Sequence, residues 1–318
     1  MMLDKPIQIT EQNWSSGTAP VLSVFNWVYN HKDFIRESIE SILIQKTTFQ
    51  VEIIIHDDAS NDGTKEIILE YQEKHPQLFR NILHDENQWS QGKSVMTPLF
   101  EKPRGEYIAL THGDDYWTDP YKLQKQVDFL EGNPEYSASM HRYKVIHENQ
   151  PERAPYLQGL ADDYSAGIED VLSFGMDGTA TLVFRRELIK PFFDSFHNFR
   201  NGDTSIFLVL ASQGPIKYFS ESMAVYRRNE SGITNHNSFK AYNYFKETNK
   251  FLTFSDVYTN FNYSKVILES KLKIMDWIKQ DYKTTYQKIH LFFLNKYFHF
   301  CLSILHRFQL NLNKKLKF

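Results

Sequence analysis

Two adjacent carboxylates lie near the middle of the chain in the run His112 to Trp117, which reads HGDDYW. The apolar residues 107–110 before the run predict a buried strand, and the pattern of residues 119–130 after it predicts a helix. The side chains of Asp114 and Asp115 repel each other unless a positive charge lies between them. A divalent cation that carries a phosphate-bearing ligand would supply that charge, so the run predicts a site for both.

A second acidic pair, Asp57 and Asp58, follows another apolar run, 51–55, whose β-branched residues predict a strand. The residues after the pair, 60–64, read SNDGT and are typical of a turn that leads into a helix. Because side chains alternate along a strand, only one of the two carboxylates needs to point into a site. The alternative is that both carboxylates cap the turn.

Both acidic pairs belong to an alternation of short apolar strands and amphipathic helices, which predicts an α/β fold with a mostly parallel sheet. Ligands bind beyond the carboxyl ends of the strands in such sheets, so the two pairs could meet at one site. Strands are predicted at 21–27, 51–55, 80–83 and 106–110, and helices at 33–45, 65–75 and 119–130. Further along, strands are predicted at 136–146, 179–184 and 216–226, a helix at 203–212 and a polar loop at 147–175.

Composition excludes several classes of protein. The formal net charge of −3 gives no reason to expect nucleic acid as a partner. Cys301 is the only cysteine, which excludes a disulfide framework and a thiolate metal cluster and fits a reducing compartment. No two of the 13 glycines stand as Gly-X-Gly, which argues against a dinucleotide-binding dehydrogenase. The run Gly92-Lys93-Ser94 lacks the upstream glycine of a P-loop.

Two features of the chain concern membranes. Residues 1–20 contain charged side chains and no apolar core, and no stretch approaches the roughly 20 apolar residues that span a bilayer. We therefore expect a cytoplasmic protein. Residues 282–318 contain seven Lys or Arg, no Asp or Glu, and many aromatic residues. This composition predicts peripheral contact with the inner face of the cytoplasmic membrane, and the alternative is a helical cap that packs on the domain or in a dimer.

Three motifs occur in order along the chain: VYNH at 28–31, HDDASNDGT at 56–64 and GDDYW at 113–117. In this order and spacing they resemble the GT-A-fold glycosyltransferases of family 2, especially bacterial surface-polysaccharide enzymes. The resemblance is dense over 20–131 and looser over 176–234. It implies the GT-A fold, in which a Rossmann-like, mostly parallel nucleotide-binding sheet is flanked by helices.

The resemblance also implies a division of the chain into parts. Residues 1–19 would form an N-terminal extension, and residues 20–238 would form the transferase domain. Within that domain, 20–131 would bind the nucleotide sugar and 132–238 would form the acceptor side. Residues 239–318 would form a basic, aromatic and helical C-terminal region.

The resemblance implies roles for the acidic motifs. Asp58 would accept a hydrogen bond from the imide of uracil or thymine, and Asp57 would be structural or contact the ribose. Asp114 would be a metal ligand, and Asp115 a ligand or a ribose contact. The family usually has Asp where His112 stands, so His112 is either a ligand or a neighbour that hydrogen-bonds to one. An imidazole ligand would favour Mn²⁺ over Mg²⁺ as the divalent cation.

The family's catalytic base falls at Asp203, close to the start of a predicted helix. The alternative for an acidic residue at such a position is an ordinary helix N-cap. Asp194 and the pair Asp162–Asp163 are weaker candidates for the same role.

The segment YRRNESGIT, 226–234, resembles a further family motif in which Asn229 replaces the usual His. A guanidinium pairs bidentately with phosphate oxygens, so Arg227 or Arg228 could bind the diphosphate of the donor. We assign this role to Arg228. The alternative for either arginine is a surface ion pair.

Together these features predict an inverting, metal-dependent glycosyltransferase that moves a sugar from a nucleotide-sugar donor, UDP-linked, to a saccharide hydroxyl. The acceptor would be a growing cell-surface saccharide, free or lipid-linked. Asp203 would act as general base, and Mn²⁺ or Mg²⁺ would assist the departure of the diphosphate. The alternative is a degenerate GT-A-fold protein that binds nucleotide or membrane without turnover, which His112 and Asn229 would favour.

Overall fold

The structure is a computed structural model of the 318-residue chain, and it divides into two compact units, Met1–Asn235 and His236–Phe318. The residues that it describes are 2–15, 17–147, 162–174, 178–189, 202–228 and 241–281.

The first unit alternates strands and helices over most of its described length. Its strands are β1 Ile7–Gln8, β2 Leu22–Val28, β3 Lys46–Thr47, β4 Val51–Asp57, β5 Ile82–Leu83, β6 Tyr107–His112, β7 Tyr116–Trp117, β8 Ala138–His147, β9 Tyr164–Ala166, β10 Val183–Arg185 and β11 Ile216–Arg228. Its α-helices are α1 Ile35–Leu43, α2 Thr64–Lys74, α3 Thr97–Glu101, α4 Lys122–Gly132, α5 Ile168–Phe174 and α6 Gly202–Ala211. Short 3₁₀ turns lie at Ile9–Glu11, Thr179–Thr181 and Arg186–Leu188.

The main sheet has the order β5-β4-β2-β6-β10-β8-β11-β7, and β9 pairs with β11. From β5 to β6 all neighbouring strands are parallel. Beyond β6 the sheet is mixed, because β10 is antiparallel to β6 and to β8 while β11 is parallel to β8. The predicted α/β sheet with flanking helices is confirmed, and its parallel part contains the strands that precede both acidic pairs.

The core forms between this parallel sheet and the helices that cover it. Strand β4 is buried along its whole length, which explains why it reads as a continuous apolar run rather than an alternating one. On α1, the side chains of Ile35, Ile39 and Ile42 are fully buried at the spacing of one helical face. The sheet and the helices thus form one hydrophobic cluster beneath the candidate site.

An ionic network lies near the amino ends of β2, β4 and β6, at the other end of these strands from the acidic pairs. The Glu52 carboxylate, whose side chain is 3% exposed, accepts hydrogen bonds from Ser23 Oγ at 2.6 Å and from the Arg104 backbone N–H at 2.7 Å. It also pairs with the guanidinium groups of Arg104 and Arg80 at 2.8 and 3.2 Å. Ser23 Oγ accepts the Gly105 N–H at 2.8 Å, so Glu52 connects the starts of neighbouring strands.

The interpretation of 147–175 as a polar loop is only partly correct. Residues 148–161 and 175–177 lie outside the described residues, but the described remainder contains strand β9 and helix α5. Strand β9 pairs antiparallel with β11. It is only three residues long and polar in composition, so no apolar pattern in the sequence indicates it. The predicted strand at 179–184 begins instead with a 3₁₀ turn, and only β10 pairs within the sheet.

Residues close to the N-terminus pack onto the first unit. Strand β1 pairs antiparallel with β3, and the side chain of Ile9 is fully buried. The Gln12 side-chain amide donates to the backbone oxygen of Thr47 at 2.7 Å and to its Oγ1 at 2.9 Å. The segment 1–19, predicted as an extension, is therefore tied to the sheet-bearing unit through residues 7–12.

The described part of the second unit contains two helices, α7 Ala241–Tyr258 and α8 Ser264–Asp281, which pack against each other. The Lys271 ammonium is largely buried and donates to Thr253 Oγ1 at 2.8 Å, which links the two helices. Among the described helices, none combines the length and the apolar character that crossing a bilayer requires. Residues 282–318, for which membrane contact is predicted, lie outside the described residues.

Candidate active site

The loops that follow β2 and β4 are joined by hydrogen bonds beyond the carboxyl ends of these strands. The Asn30 N–H donates to Ser60 Oγ at 2.8 Å, and the Asn61 N–H donates to Asn30 Oδ1 at 2.9 Å. The His31 N–H donates to Thr64 Oγ1 at 2.9 Å, next to the start of α2. The motifs VYNH and HDDASNDGT therefore form one connected surface, in the position where α/β sheets bind ligands.

Asp57 holds the turn after β4. Its fully buried carboxylate accepts hydrogen bonds from the hydroxyl and the backbone N–H of Ser60. Burial raises the pKa of the Asp57 carboxyl, and the hydrogen bonds from Ser60 oppose that shift only in part. Asp57 therefore stabilises the turn that follows β4.

Asp58 is connected to a loop some 30 residues further along the chain. Its two carboxylate oxygens accept the backbone N–H groups of Gln88 at 2.6 Å and Trp89 at 3.1 Å. The side-chain amide of Asn87 donates to the Asp58 backbone oxygen at 2.9 Å. Asp58 thus positions the loop that carries Trp89, whose side chain is 40% exposed. Each oxygen retains a second lone pair that a ligand N–H can use.

The acidic motif follows directly from β6. Asp115 is fully buried, and its Oδ1 accepts the backbone N–H of Arg227 at 2.9 Å. Its Oδ2 is buried without a hydrogen-bond partner, and burial raises the pKa of Asp115 to about 6. The Asp114 side chain is 17% exposed, with Oδ2 3.9 Å from Nε2 of His31. A buried carboxylate oxygen without a donor is costly, so this position suits a proton or a cation.

Two histidines border the acidic pair. The His112 ring stacks on Trp27 with centroids 5.5 Å apart, and its Nδ1 lies 3.6 Å from Asp115 Oδ2. His31, which we did not single out from the sequence, packs against Gly113 so closely that a Cβ at that position would meet Nδ1 at 2.5 Å. Glycine is therefore needed at 113 for His31 to lie beside Asp114.

The residues present fit a cation that is shared with a ligand. Within the described part of the chain, no three His, Cys, Asp or Glu side chains converge as a complete metal cage. Mg²⁺ and comparable cations are commonly held by one or two carboxylates together with phosphate oxygens of the substrate. Asp114 and Asp115 supply that number of carboxylates, and Oδ2 of Asp115, which accepts no hydrogen bond, is consistent with it.

The two adjacent arginines at the end of β11 have different surroundings. The Arg227 guanidinium donates to the Asp114 backbone oxygen at 3.2 Å and pairs with the Glu37 carboxylate. Arg228 is exposed, and its guanidinium carbon lies 6.0 Å from the centre of the Tyr226 ring. Arg227 therefore belongs to the acidic loop, whereas Arg228 faces solvent.

The candidate base Asp203 is the second residue of α6, and its side chain lies outside the described residues. Its competitor Asp163 accepts the Ser220 N–H at 2.9 Å and pairs with Lys217 at 3.0 Å, so it braces strand β11. Asp162 is exposed, and Asp194 lies outside the described residues.

With this geometry established, comparison with known proteins identifies the class. Residues 23–197 match the family model "Glycosyl transferase family 2", which covers more than half of the chain, and the chain belongs to that family. An uncharacterized protein of Mycobacterium tuberculosis is 38% identical over 217 residues, which are 67% of this chain and 60% of the relative. The chain thus spans less than two thirds of that relative's length.

Two further relatives carry glycosyltransferase names. An uncharacterized glycosyltransferase of Nostoc is 29% identical over 224 residues, 68% of this chain and 67% of the relative. The Escherichia coli enzyme WfaP, a UDP-Glc:α-D-GlcNAc-diphosphoundecaprenol β-1,3-glucosyltransferase, is 26% identical over 221 residues. That alignment covers 69% of this chain and 82% of WfaP.

Solved structures with this fold are glycosyltransferases of the GT-A type. Residues 1–349 of Staphylococcus aureus TarS align with a TM-score of 0.60 at 14% identity, over 85% of this chain and 77% of those TarS residues. The mannosyltransferase PcManGT of Pyrobaculum calidifontis, solved with GDP-Man and Mn²⁺, aligns with a TM-score of 0.56 at 15% identity. That alignment covers 91% of this chain and 84% of PcManGT. The likeness confirms the predicted GT-A fold.

Proposed function

We propose that this protein transfers a sugar from a nucleotide-sugar donor to a hydroxyl of a growing cell-surface saccharide, with inversion at the anomeric carbon. The observation that carries the proposal is the acidic pair after β6, in which Asp115 is buried and its Oδ2 accepts no hydrogen bond, with His112 Nδ1 3.6 Å away. It lies at the carboxyl end of a parallel strand in a family 2 glycosyltransferase. UDP is the proposed nucleotide, because TarS was solved with UDP-GlcNAc and WfaP is named for UDP-Glc.

The mechanism assigns each step to residues of this chain. Asp203 takes the proton of the acceptor hydroxyl as its oxygen attacks the anomeric carbon. Attack on the face opposite the diphosphate breaks the bond from the anomeric carbon to the phosphate oxygen, which gives inversion. Asp114, with Asp115 and His112 beside it, would hold a divalent cation, which supplies positive charge against the departing diphosphate.

Other residues of the site bind the nucleotide. Asp58 accepts the imide N–H of the base through a free lone pair, while its existing hydrogen bonds hold the loop of Trp89. Asp57 supports Asp58 by holding the turn that follows it. Arg228, exposed at the end of β11, is available to pair with the diphosphate.

Calorimetric titration with UDP tests this proposal, with UMP and GDP as comparisons and with Mn²⁺, Mg²⁺ or no metal. We expect UDP to bind in a metal-dependent manner, and Asp114→Ala to remove that dependence. The control is Asp128→Ala. The Asp128 carboxylate contacts Gln124 on α4, so its removal should leave UDP binding unchanged. Tighter binding with Mn²⁺ than with Mg²⁺ would support His112 as a ligand, and equal binding would contradict it.

Two results of this titration would contradict the proposal. The proposed site is wrong if no nucleoside diphosphate binds under any condition, or if Asp114→Ala binds UDP and Mn²⁺ like the wild type. Tight metal-dependent binding without transfer to any acceptor would instead support the non-catalytic alternative.

We also propose a lipid-linked acceptor and peripheral contact with the membrane through residues 282–318. The support is the composition of that segment and the diphosphoundecaprenol named for WfaP. Vesicles with anionic lipid should co-sediment with the full chain at low salt and release it at high salt. Deleting residues 282–318 should abolish that binding, and neutral vesicles serve as the control. Equal binding by the shortened chain would exclude the segment as the membrane contact.

A further inference from the structure

We propose that Arg227 is the positioning residue of the acidic loop and that Glu37 anchors its side chain, an inference that rests on the proposed function. Arg227 contacts the loop through its main chain and its side chain, and it lies 113 positions from Asp114 in the sequence. Both Arg227 and Arg228 are candidates from the sequence for binding the diphosphate, and that role is assigned there to Arg228. The contacts of the two residues separate their roles.

Arg227 contacts three consecutive residues, two in the acidic loop and the first residue of β7. Its backbone N–H donates to Asp115 Oδ1 at 2.9 Å, which is the hydrogen bond that orients this buried carboxylate. Its guanidinium donates to the Asp114 backbone oxygen at 3.2 Å. The same guanidinium carbon lies 4.6 Å from the centre of the Tyr116 ring. The loop between β6 and β7 is thus attached to the end of β11 at Asp114 and Asp115, and the first residue of β7 is held beside them.

The guanidinium is held in turn by helix α1. It forms an ion pair with the Glu37 carboxylate, and its carbon lies 5.3 Å from the centre of the Phe34 ring. The Arg227 side chain is only 15% exposed, whereas Glu37 is 53% exposed. Contact with two aromatic rings and with oxygen acceptors on two elements suits a planar, multiply donating guanidinium and does not suit an ammonium.

These contacts assign Arg227 to positioning rather than to direct contact with the diphosphate. Its guanidinium is engaged by Asp114 and Glu37, while that of Arg228 faces solvent. A cation bound to Asp114 and Asp115 requires both carboxylates at a fixed separation. Loosening the loop should therefore weaken the part of nucleotide binding that depends on the metal and leave the metal-independent part largely unchanged.

The test compares Arg227→Lys, Glu37→Gln and the double variant with Glu70→Gln. Glu70 lies on α2 and forms an exposed ion pair with Arg36 on α1, the helix that also carries Glu37. It is therefore a matched control for removing a surface carboxylate. Calorimetry gives the Kd of UDP with and without Mn²⁺, electron paramagnetic resonance gives Mn²⁺ binding alone, and thermal unfolding reports folding.

We expect Arg227→Lys to reduce the Mn²⁺-dependent gain in UDP affinity by about tenfold, as is common for residues that orient metal ligands. Glu37→Gln should have a smaller effect in the same direction, and the double variant should be no weaker than Arg227→Lys, because the two residues act as a unit. Glu70→Gln should bind like the wild type. Affinity for UDP without metal should change little in every variant.

Several outcomes would overturn the inference. An unchanged gain with Mn²⁺ in Arg227→Lys would show that the loop does not need Arg227. An equal loss with and without metal would make Arg227 a diphosphate ligand, and additive effects of Arg227→Lys and Glu37→Gln would separate the two residues. Absence of Mn²⁺-dependent binding in the wild type would refute the proposed function itself, and this inference with it.

Discussion

Glu52→Gln is expected to lower the free energy of unfolding by about 2 kcal/mol, because it removes the charge of a buried carboxylate that accepts several hydrogen bonds and pairs with two half-exposed arginines. The carboxylate accepts hydrogen bonds from Ser23 Oγ, the Arg104 N–H and two guanidinium groups. Glutamine of the same shape can accept only through one oxygen, and its amide N–H₂ group would face donors. Urea unfolding at pH 7 measures the loss.

The pH dependence of this effect has a definite sign. Burial alone would raise the pKa of Glu52, but hydrogen bonds from Ser23, the Arg104 N–H and the guanidinium groups of Arg104 and Arg80 lower it below its ordinary value of 4.5. A carboxyl group whose pKa is lower in the folded state stabilises the protein above the unfolded-state pKa. The difference in stability between wild type and Glu52→Gln should therefore be full at pH 7 and shrink as the pH falls below about 4.5.

The control for this prediction is the exposed carboxylate Glu70, which pairs with Arg36 and Lys74 on the surface. Solvent screens such pairs, so Glu70→Gln should leave the unfolding midpoint nearly unchanged. Equal destabilisation by the two substitutions, or a loss for Glu52→Gln that does not depend on pH, would show that the buried network does not stabilise the sheet through its charge.

Local pattern was sufficient to predict the elements that carry the acidic motifs. The β-branched run at 51–55 predicted β4, which the structure extends to Asp57, and the apolar spacing of α1 predicted a helix within 33–45. These elements bury most of their own apolar residues, so their sequence periodicity directly reflects their environment. Strand β10, only three residues long and antiparallel to both neighbours, is set by tertiary pairing, and its topology was not predicted.

Contacts between distant residues account for what the sequence could not predict in the site. The resemblance implies that Asp58 contacts a base, and no sequence pattern indicates that its carboxylate accepts the N–H groups of Gln88 and Trp89, which are about 30 residues away. His31 next to Gly113 and Arg227 against Asp114 follow from how loops pack, since neither produces a local pattern. Residue types at strand ends thus locate a site, but they do not show which distant residues hold the side chains of that site in place.

Asp203→Asn is expected to lower kcat by about 10²–10⁴, the range that a positioned general base commonly contributes, with little change in UDP affinity. The amide cannot take the proton of the acceptor hydroxyl, although it has nearly the same shape as the carboxylate. Steady-state transfer assays across pH, together with calorimetry, measure both quantities. The activity of the wild type should fall as the pH falls and the base is protonated. The variant should not show this decrease at acidic pH.

The N-cap alternative for Asp203 does not fit the structure, because Asp203 lies inside the first turn of α6, and the same substitution separates a base from a carboxylate that only stabilises that turn. An Asp203 that only stabilises the first turn of α6 through the helix dipole predicts a loss of about 0.3–1 kcal/mol in stability for Asp203→Asn and an unchanged kcat. A catalytic base predicts an unchanged unfolding midpoint with a large loss of turnover. The control Asp163→Asn removes a carboxylate that braces Ser220 and Lys217, so it should affect stability more than kcat. A variant Asp203→Asn that turns over like the wild type would assign the residue to the start of α6 and leave the proton acceptor to another carboxylate.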